Sequence, residues 1–357
     1  MPVDGFQVHH LSVPLARGPK TAIHDINRVE NVVLELHADG LVGTGFAYTF
    51  NAAHARAMRE LVDELAGGVV GAPVGSITDT WRRLLRRIEF LGHAGLAMSA
   101  VAAVDMAMWD LLARSAGLPL ARLLGSTRSA LPVYATGGWL SDPIELLVED
   151  AQALQRAGYG GFKVKIGLPQ WRDDIARLSA ARGAVGGGFE LMVDVNQGWT
   201  EWQARAAAPA LAELDIRWLE EPLPAGDVDG NARLSRQLAM PVAGGEGTST
   251  QDAFVALLRA GAYSMITPDV MKCGGPSGFL AVSTLAAAHH VPMASHTCTE
   301  ISAHLVATCP PGTWVEHLPG IWDGLFADPL HIADGCVHLP DSAGAGMRLA
   351  PSMAALA

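Results

Sequence analysis

The hydrophobic pattern divides this chain near Gly125. From Phe6 to Phe50 it reads as β structure, with Val29–His37 and Leu41–Tyr48 flanking the turn residues Ala38, Asp39 and Gly40, which predicts a hairpin. Three helix-period stretches follow, Ala52–Ala66, Ile77–Ile88 and Gly95–Ala116, the last stopped by Gly117 and Pro119. Together they predict an α+β unit over residues 1–125. Between its first strand and the hairpin, Arg17–Arg28 is polar and irregular, the kind of surface loop that carries specificity.

After Leu131 short apolar strands alternate with helical stretches. Strands are predicted at Pro132–Thr136, Phe162–Ile166, Leu191–Val195, Arg217–Leu219 running into Glu220, Pro241–Gly245, Ser264–Pro268, Pro292–Ser295 and Trp314–Glu316. Strand-helix alternation implies parallel strands, and eight such strands close a TIM-type barrel over residues 126–328. In the remaining segment, 329–357, Leu330–His338 folds at Asp334-Gly335 into a hairpin expected to return to the N-terminal unit.

An apolar strand should stay apolar until it reaches a loop, yet these end in Lys163 and Lys165, Asp194 and Asn196, Glu220, Glu246, Asp269, His296 and Glu316. From Lys165 onward the successive gaps run from 20 to 29 residues, about one strand-helix unit each. In a parallel barrel all strand C-terminal ends open on one face, so these side chains are aimed at one cavity. Surface lysines are the bland alternative for Lys163 and Lys165, but i, i+2 placement within an apolar strand turns both inward. Alternation lets only one of Glu220 and Glu221 face inward.

Asp194, Glu220 and Glu246 end neighbouring strands, and three converging carboxylates call for a hard divalent cation. Mg2+ fits an all-oxygen donor set and leaves positions open for substrate oxygens. Asp269 is placed to orient His296 as a general base. Lys165, on the other side, is a second base whose pKa the Lys163 charge and the metal should depress. Glu316, if protonated, would donate to a developing enediolate oxygen. Two bases flanking a carboxylate suit removal of its α-proton and return of a proton to the opposite face.

Composition narrows the partners. The 357 residues are 50% hydrophobic and 17% charged, which excludes disorder, and 25 Lys+Arg against 36 Asp+Glu give a net charge of -11. That field repels phosphate backbones and anionic lipid, arguing against nucleic acid and membrane surfaces. The apolar stretch Gly95–Leu112 contains Asp105 and Asp110 and reads as a buried helix rather than a membrane span. Cys273, Cys298, Cys309 and Cys336 form no CxxC pair, and no basic start or apolar run marks a signal peptide; a reducing cytoplasm is expected. Asp227–Asn231 mimics a calcium loop without glycine at the sixth position, and His296, Glu300 and His304 are not an HExxH helix.

The motifs Lys163-Val164-Lys165, Val193-Asp194-Val195-Asn196, Glu220-Glu221-Pro222, Gly245-Glu246, Pro268-Asp269-Val270-Met271-Lys272, Ser295-His296 and Glu316 together resemble the mandelate racemase branch of the enolase superfamily, over nearly the whole chain. The resemblance implies a (β/α)7β barrel under an α+β cap completed by the C-terminal tail. It also implies Mg2+ on Asp194, Glu220 and Glu246, acid/base groups in Lys165 and the His296–Asp269 dyad, Glu316 as electrophile, and an even-numbered homo-oligomer. The superfamily's pairing of a Lys or His base with Mg2+ is a known pattern. Where mandelate racemase has a mostly apolar flap, this loop offers Arg17, Lys20, His24, Asp25, Asn27 and Arg28. With Asn196 and Lys163, Arg17, Lys20 and His24 are the candidate substrate-binding residues, and the polar loop favours a polyhydroxylated acid over a phenyl ring. The expected activity is Mg2+-dependent dehydration of a sugar acid to a 2-keto-3-deoxy acid. Racemisation or epimerisation of a 2-hydroxy acid is the alternative, and a non-catalytic binding protein a remote one.

Overall fold

The computed structural model describes residues 1–354. Strands β1 (Gly5–Pro14), β2 (Arg28–Ala38) and β3 (Leu41–Thr49) form an antiparallel sheet in that order, and helices α1 (Ala52–Gly67), α2 (Ile77–Arg87) and α3 (Gly95–Ser115) complete the cap. The sheet packs on α3 at unusually close range, because β3 carries glycines where α3 carries alanines. A Cβ on Gly43 would lie 2.3 Å from the Ala107 carbonyl oxygen, and one on Gly45 2.0 Å from that of Ala103. Among the described residues α3 is the one helix long and apolar enough to cross a membrane, and it is buried as the core helix of the cap.

A short helix, α4 (Leu120–Leu123), leads into the barrel. Its units are β4 (Ala130–Gly137) and α5 (Ile144–Arg156), β5 (Gly161–Lys165) and α6 (Trp171–Val185), β6 (Glu190–Asp194) and α7 (Glu201–Glu213), β7 (Ile216–Glu220) and α8 (Val228–Gln237). Then come β8 (Val242–Gly244) and α9 (Gln251–Ala260), β9 (Met265–Ile266) and α10 (Pro276–Ala288), β10 (Met293–Ala294) and α11 (Thr299–Thr308), and finally β11 (Gly312–His317). Neighbours pair in parallel, and β11 pairs back onto β4 through Val315–Val133, closing the barrel as the strand-helix alternation predicts. Inside, Tyr134, Met192, Trp218, Ala243, Met265, Ala294 and Trp314 fill the barrel, large side chains against small ones. This apolar plug is the base on which the polar strand ends stand.

The calcium-like stretch is a helix start: the Asp227 side chain accepts from the Gly230 amide and caps α8. The tail departs from expectation in one respect. Its hairpin, β12 (His331–Ala333) and β13 (Cys336–His338), pairs antiparallel with the first residues of β4, so it extends the barrel wall rather than the cap sheet. Residues beyond it reach the cap, where the Ala345 amide donates to Asp110 of α3 at 2.6 Å. The first residues of β4, ahead of its pairing with β11 at Val133, offer the edge that the hairpin takes.

Candidate active site

Strand register assembles the polar cluster. Parallel pairing sets Lys165 beside Asp194 and Asp194 beside Glu220, so three inward side chains form one row across β5, β6 and β7. Glu246 follows β8 by two residues, and ligand atoms of Asp194, Glu220 and Glu246 lie within 4.8 Å of one another. Glu221, just past the end of β7 at φ +38°, is not part of this group and accepts from Gln197 at 3.0 Å.

The two lysines answer this negative charge. Lys163, fully buried, has its Nζ 2.7 Å from Glu220 Oε1, 2.9 Å from Glu316 Oε1 and 3.7 Å from Asp194 Oδ2. Lys165 donates to Asp194 Oδ2, and the Asn196 backbone N–H donates to Asp194 Oδ1 at 2.8 Å. The compensation is incomplete. Burial first, with Asp194 and Glu246 adding to it and Lys163 opposing, pushes Glu220 up to about 7. Glu246 Oε2 is buried without any partner. A site that strains to ionise one carboxylate and orphans an oxygen of another is short of positive charge, and its all-oxygen donor set fits Mg2+.

On the far side of the cluster His296 Nδ1 lies 2.8 Å from Asp269 Oδ2, while its Nε2 faces Glu246 at 3.5 Å and Glu316 at 4.0 Å. Burial would lower the imidazole pKa, but Glu246, Glu316 and Asp269 outweigh it and raise it to about 10. Glu316 sits among donors: although burial opposes ionisation, the Lys163 charge and then His296 lower its carboxyl pKa. Its oxygens take Lys163, the Thr136 hydroxyl and the Thr297 amide.

Lys165, Asn196, Glu246 and His296 open onto a cavity of about 400 Å³ closed over by the cap. The loop between β1 and β2 reaches across it and rests on the loop after β6, where a Cβ on Gly198 would meet that of Ala22 at 2.5 Å. Of the polar loop residues expected to face substrate, His24 does, its pKa lowered by burial and by Lys165. Arg17 does not: it is held by Asp142 and, at 2.6 Å, by Asp150, and lines a neighbouring cavity of about 450 Å³. Nor does Lys20, which is half-exposed and pairs with Asp25 at 3.2 Å. Arg28 turns back to Glu30. The roof is instead mostly apolar, with Leu15, Ile26, Phe50, Leu96, Met271 and Trp322 among its residues. Sequence reasoning passed over Lys272, Tyr48 and Thr297, which also line the cavity. Lys272 ends the Pro268-Asp269-Val270-Met271-Lys272 motif; the other two carry no signal of their own.

Residues 146–353 match the family model for the enolase C-terminal domain-like fold, and residues 6–125 that for the mandelate racemase / muconate lactonizing enzyme N-terminal domain. The chain is 37% identical over 313 residues to 3,6-anhydro-alpha-L-galactonate cycloisomerase from Streptomyces coelicolor, covering 87% of this chain and 86% of that one. It is 34% identical over 332 residues to L-talarate/galactarate dehydratase from Salmonella typhimurium, covering 91% and 81%. Among solved structures, L-talarate dehydratase from Polaromonas sp. JS666, complexed with Mg and L-glucarate, superposes with a TM-score of 0.93 at 32% identity, covering 99% and 96%.

Proposed function

The chain belongs to the mandelate racemase/muconate lactonizing enzyme family of the enolase superfamily, and from that premise we propose that it dehydrates a sugar acid to a 2-keto-3-deoxy acid. It is an enzyme with Mg2+ as its cofactor. Asp194, Glu220 and Glu246 are the residues that would hold the ion. When bound, Mg2+ supplies positive charge against which the proton α to a carboxylate becomes acidic. Lys165 and His296 face the substrate from opposite sides. One takes the α-proton, and the conjugate acid of the other gives a proton to the departing 3-hydroxyl. Asp269 orients His296, Lys163 balances the charge of Glu220 and Glu316, and Asn196 and His24 contact substrate.

The observation that carries this reading is the cavity floor, where a three-carboxylate cluster reaches the cavity through Glu246 and is flanked by a lysine on one side and a carboxylate-backed histidine on the other. Sugar acids are supported by the relatives and no longer by the loop, whose cations turn elsewhere. The apolar roof favours a second reading, racemisation of a 2-hydroxy acid with an apolar substituent. Incubating mono- and diacid sugars, and both mandelate enantiomers, with the enzyme and Mg2+ in D2O tests both by proton NMR. A new keto acid with loss of a carbinol signal supports dehydration; α-deuteration of mandelate with no sugar-acid turnover overturns it.

The four cysteines are free, which supports a reducing cytoplasm. A homo-oligomer is supported by Phe90 and Leu91, which stand side by side on the cap at 100% and 58% exposure.

A further inference from the structure

The hydrogen bonds behind His296 do not stop at Asp269. That carboxylate is wholly buried and fully used: Oδ1 accepts from the amides of Met271 at 2.7 Å and Lys272 at 3.3 Å, and Oδ2 accepts from His296 at 2.8 Å and from the Thr297 hydroxyl at 3.1 Å. Because the Thr297 hydroxyl donates to Asp269, its lone pairs are free to accept from the Tyr48 phenol, 3.3 Å away. Tyr48 stands on β3 of the cap, its ring 4.7 Å from that of Trp322. The Thr297 amide meanwhile donates to Glu316 Oε2 at 2.8 Å. One residue therefore grips both polar groups behind the His296 side of the cavity.

Its backbone points the same way. Thr297 has φ +50° and Cys298 φ +46°, a left-handed pair. A β-branched residue there is a genuine outlier, and asparagine or glycine would adopt the conformation at lower cost. Such strain persists where the surroundings impose it, and it collects at functional sites. Here it sends the amide to Glu316 and the hydroxyl to Asp269 at once.

We propose that Thr297 is a positioning residue for the His296–Asp269 pair, and that Tyr48 makes its hold depend on the cap being seated on the barrel. This rests on the reading of His296 as an acid/base group. Without the hydroxyl Asp269 loses one of two bonds on the oxygen that aims the imidazole, and proton transfer is sensitive to such misplacement. Substrate binding, set by the metal side and the roof, is left nearly intact.

The test compares Thr297→Val, which keeps shape and amide but removes the hydroxyl, with Thr297→Ser, which restores it, and with Tyr48→Phe and the Tyr48→Phe/Thr297→Val double variant. Steady-state kinetics with Mg2+ and the best substrate of the panel should show kcat down roughly 10- to 100-fold in Thr297→Val with KM within about threefold, by analogy with other orienting partners. Thr297→Ser should recover to within about threefold of the parent, and Tyr48→Phe should lose about threefold in kcat, the scale of one modest neutral hydrogen bond. The double variant should be no worse than Thr297→Val, since both changes cut one chain. Independently of turnover, the Nδ1 proton resonance of His296, assigned by its loss in His296→Asn, should shift in Thr297→Val and return in Thr297→Ser. Unchanged kcat and resonance in Thr297→Val, a loss that serine does not restore, or additive losses in the double variant would each overturn the proposal. If the parent turns over no sugar acid, the proposed function fails, and the resonance alone decides the role of Thr297.

Discussion

The floor and the roof of the cavity are made of opposite materials. The floor is a row of mostly buried lysines and carboxylates at the ends of strands, most of them paired with an opposite charge, Glu246 the least well. The roof is loop and cap, mostly apolar, and the polar residues of its loop point mainly away from the cavity. The difference teaches where chemistry and selectivity reside. A charged group on a barrel strand has no choice of direction, because the pleat sets it and the register sets its neighbours. A charged group on a loop goes to whichever partner the fold brings near, and Arg17 meets Asp142 and Asp150 before it can meet a substrate.

Breaking the floor should cost most. Exhaustive chelation is expected to abolish turnover and Mg2+ to restore it, and Asp194→Asn, Glu220→Gln and Glu246→Gln should each weaken Mg2+ binding measured by calorimetry. Three variants that bind Mg2+ like the parent would mean that the ligands lie elsewhere. Next come the two flanking groups. His296→Asn and Lys165→Ala should each lower turnover by roughly 10²- to 10⁴-fold, the usual range for an acid/base group. One of the two should still exchange the α-proton of a substrate that presents it to the surviving base, as read by NMR in D2O. Undiminished exchange in the double variant would remove both from the mechanism.

The roof should respond differently. Arg17→Met unlatches the β1–β2 loop from Asp150 of α5 and leaves the buried Asp142 without its cation. Losing charged hydrogen bonds of this kind is expected to raise KM by roughly tenfold with kcat changed by less. A fall in kcat at constant KM would mean that the loop acts on the floor, and that floor and roof do not divide chemistry from selectivity.

The smallest effect is at the seam between cap and barrel. Asp105 of α3 accepts from the amide and hydroxyl of Ser277, both at 2.8 Å, at the start of α10. Burial nevertheless raises its pKa from 3.8 to about 7, the Ser277 bonds opposing. Its protonated form is thus favoured by folding, so its contribution is complete below about pH 4 and is lost as pH rises through about 7. The melting temperature should fall between about pH 4 and about pH 7, and Asp105→Asn should flatten that fall. Parallel profiles for the two proteins would show that Asp105 does not titrate there.

Much of the molecule was legible in its sequence, and the illegible parts share a cause. The eight-strand barrel and its polar rim could be read because strand-helix alternation forces parallel strands, and parallel strands in a closed barrel put all their C-terminal ends on one face. Lys165, Asp194, Glu220, Glu246, Asp269 and His296 therefore announced their meeting through spacing alone, however far apart they lie along the chain. Arg17 and Lys20 looked equally suited to a substrate, but their partners are chosen by proximity in the fold, and Asp142 lies 125 residues from Arg17. The tail hairpin was visible as a hairpin, whereas the free edge of β4 that captures it was not. Thr297 reads as one threonine among many, and Glu316 as a carboxylic acid of ordinary kind. Only the packed structure turned the first onto Asp269 and Glu316 together and surrounded the second with cations, because hydrogen bonding and local charge depend on distances that periodicity does not encode.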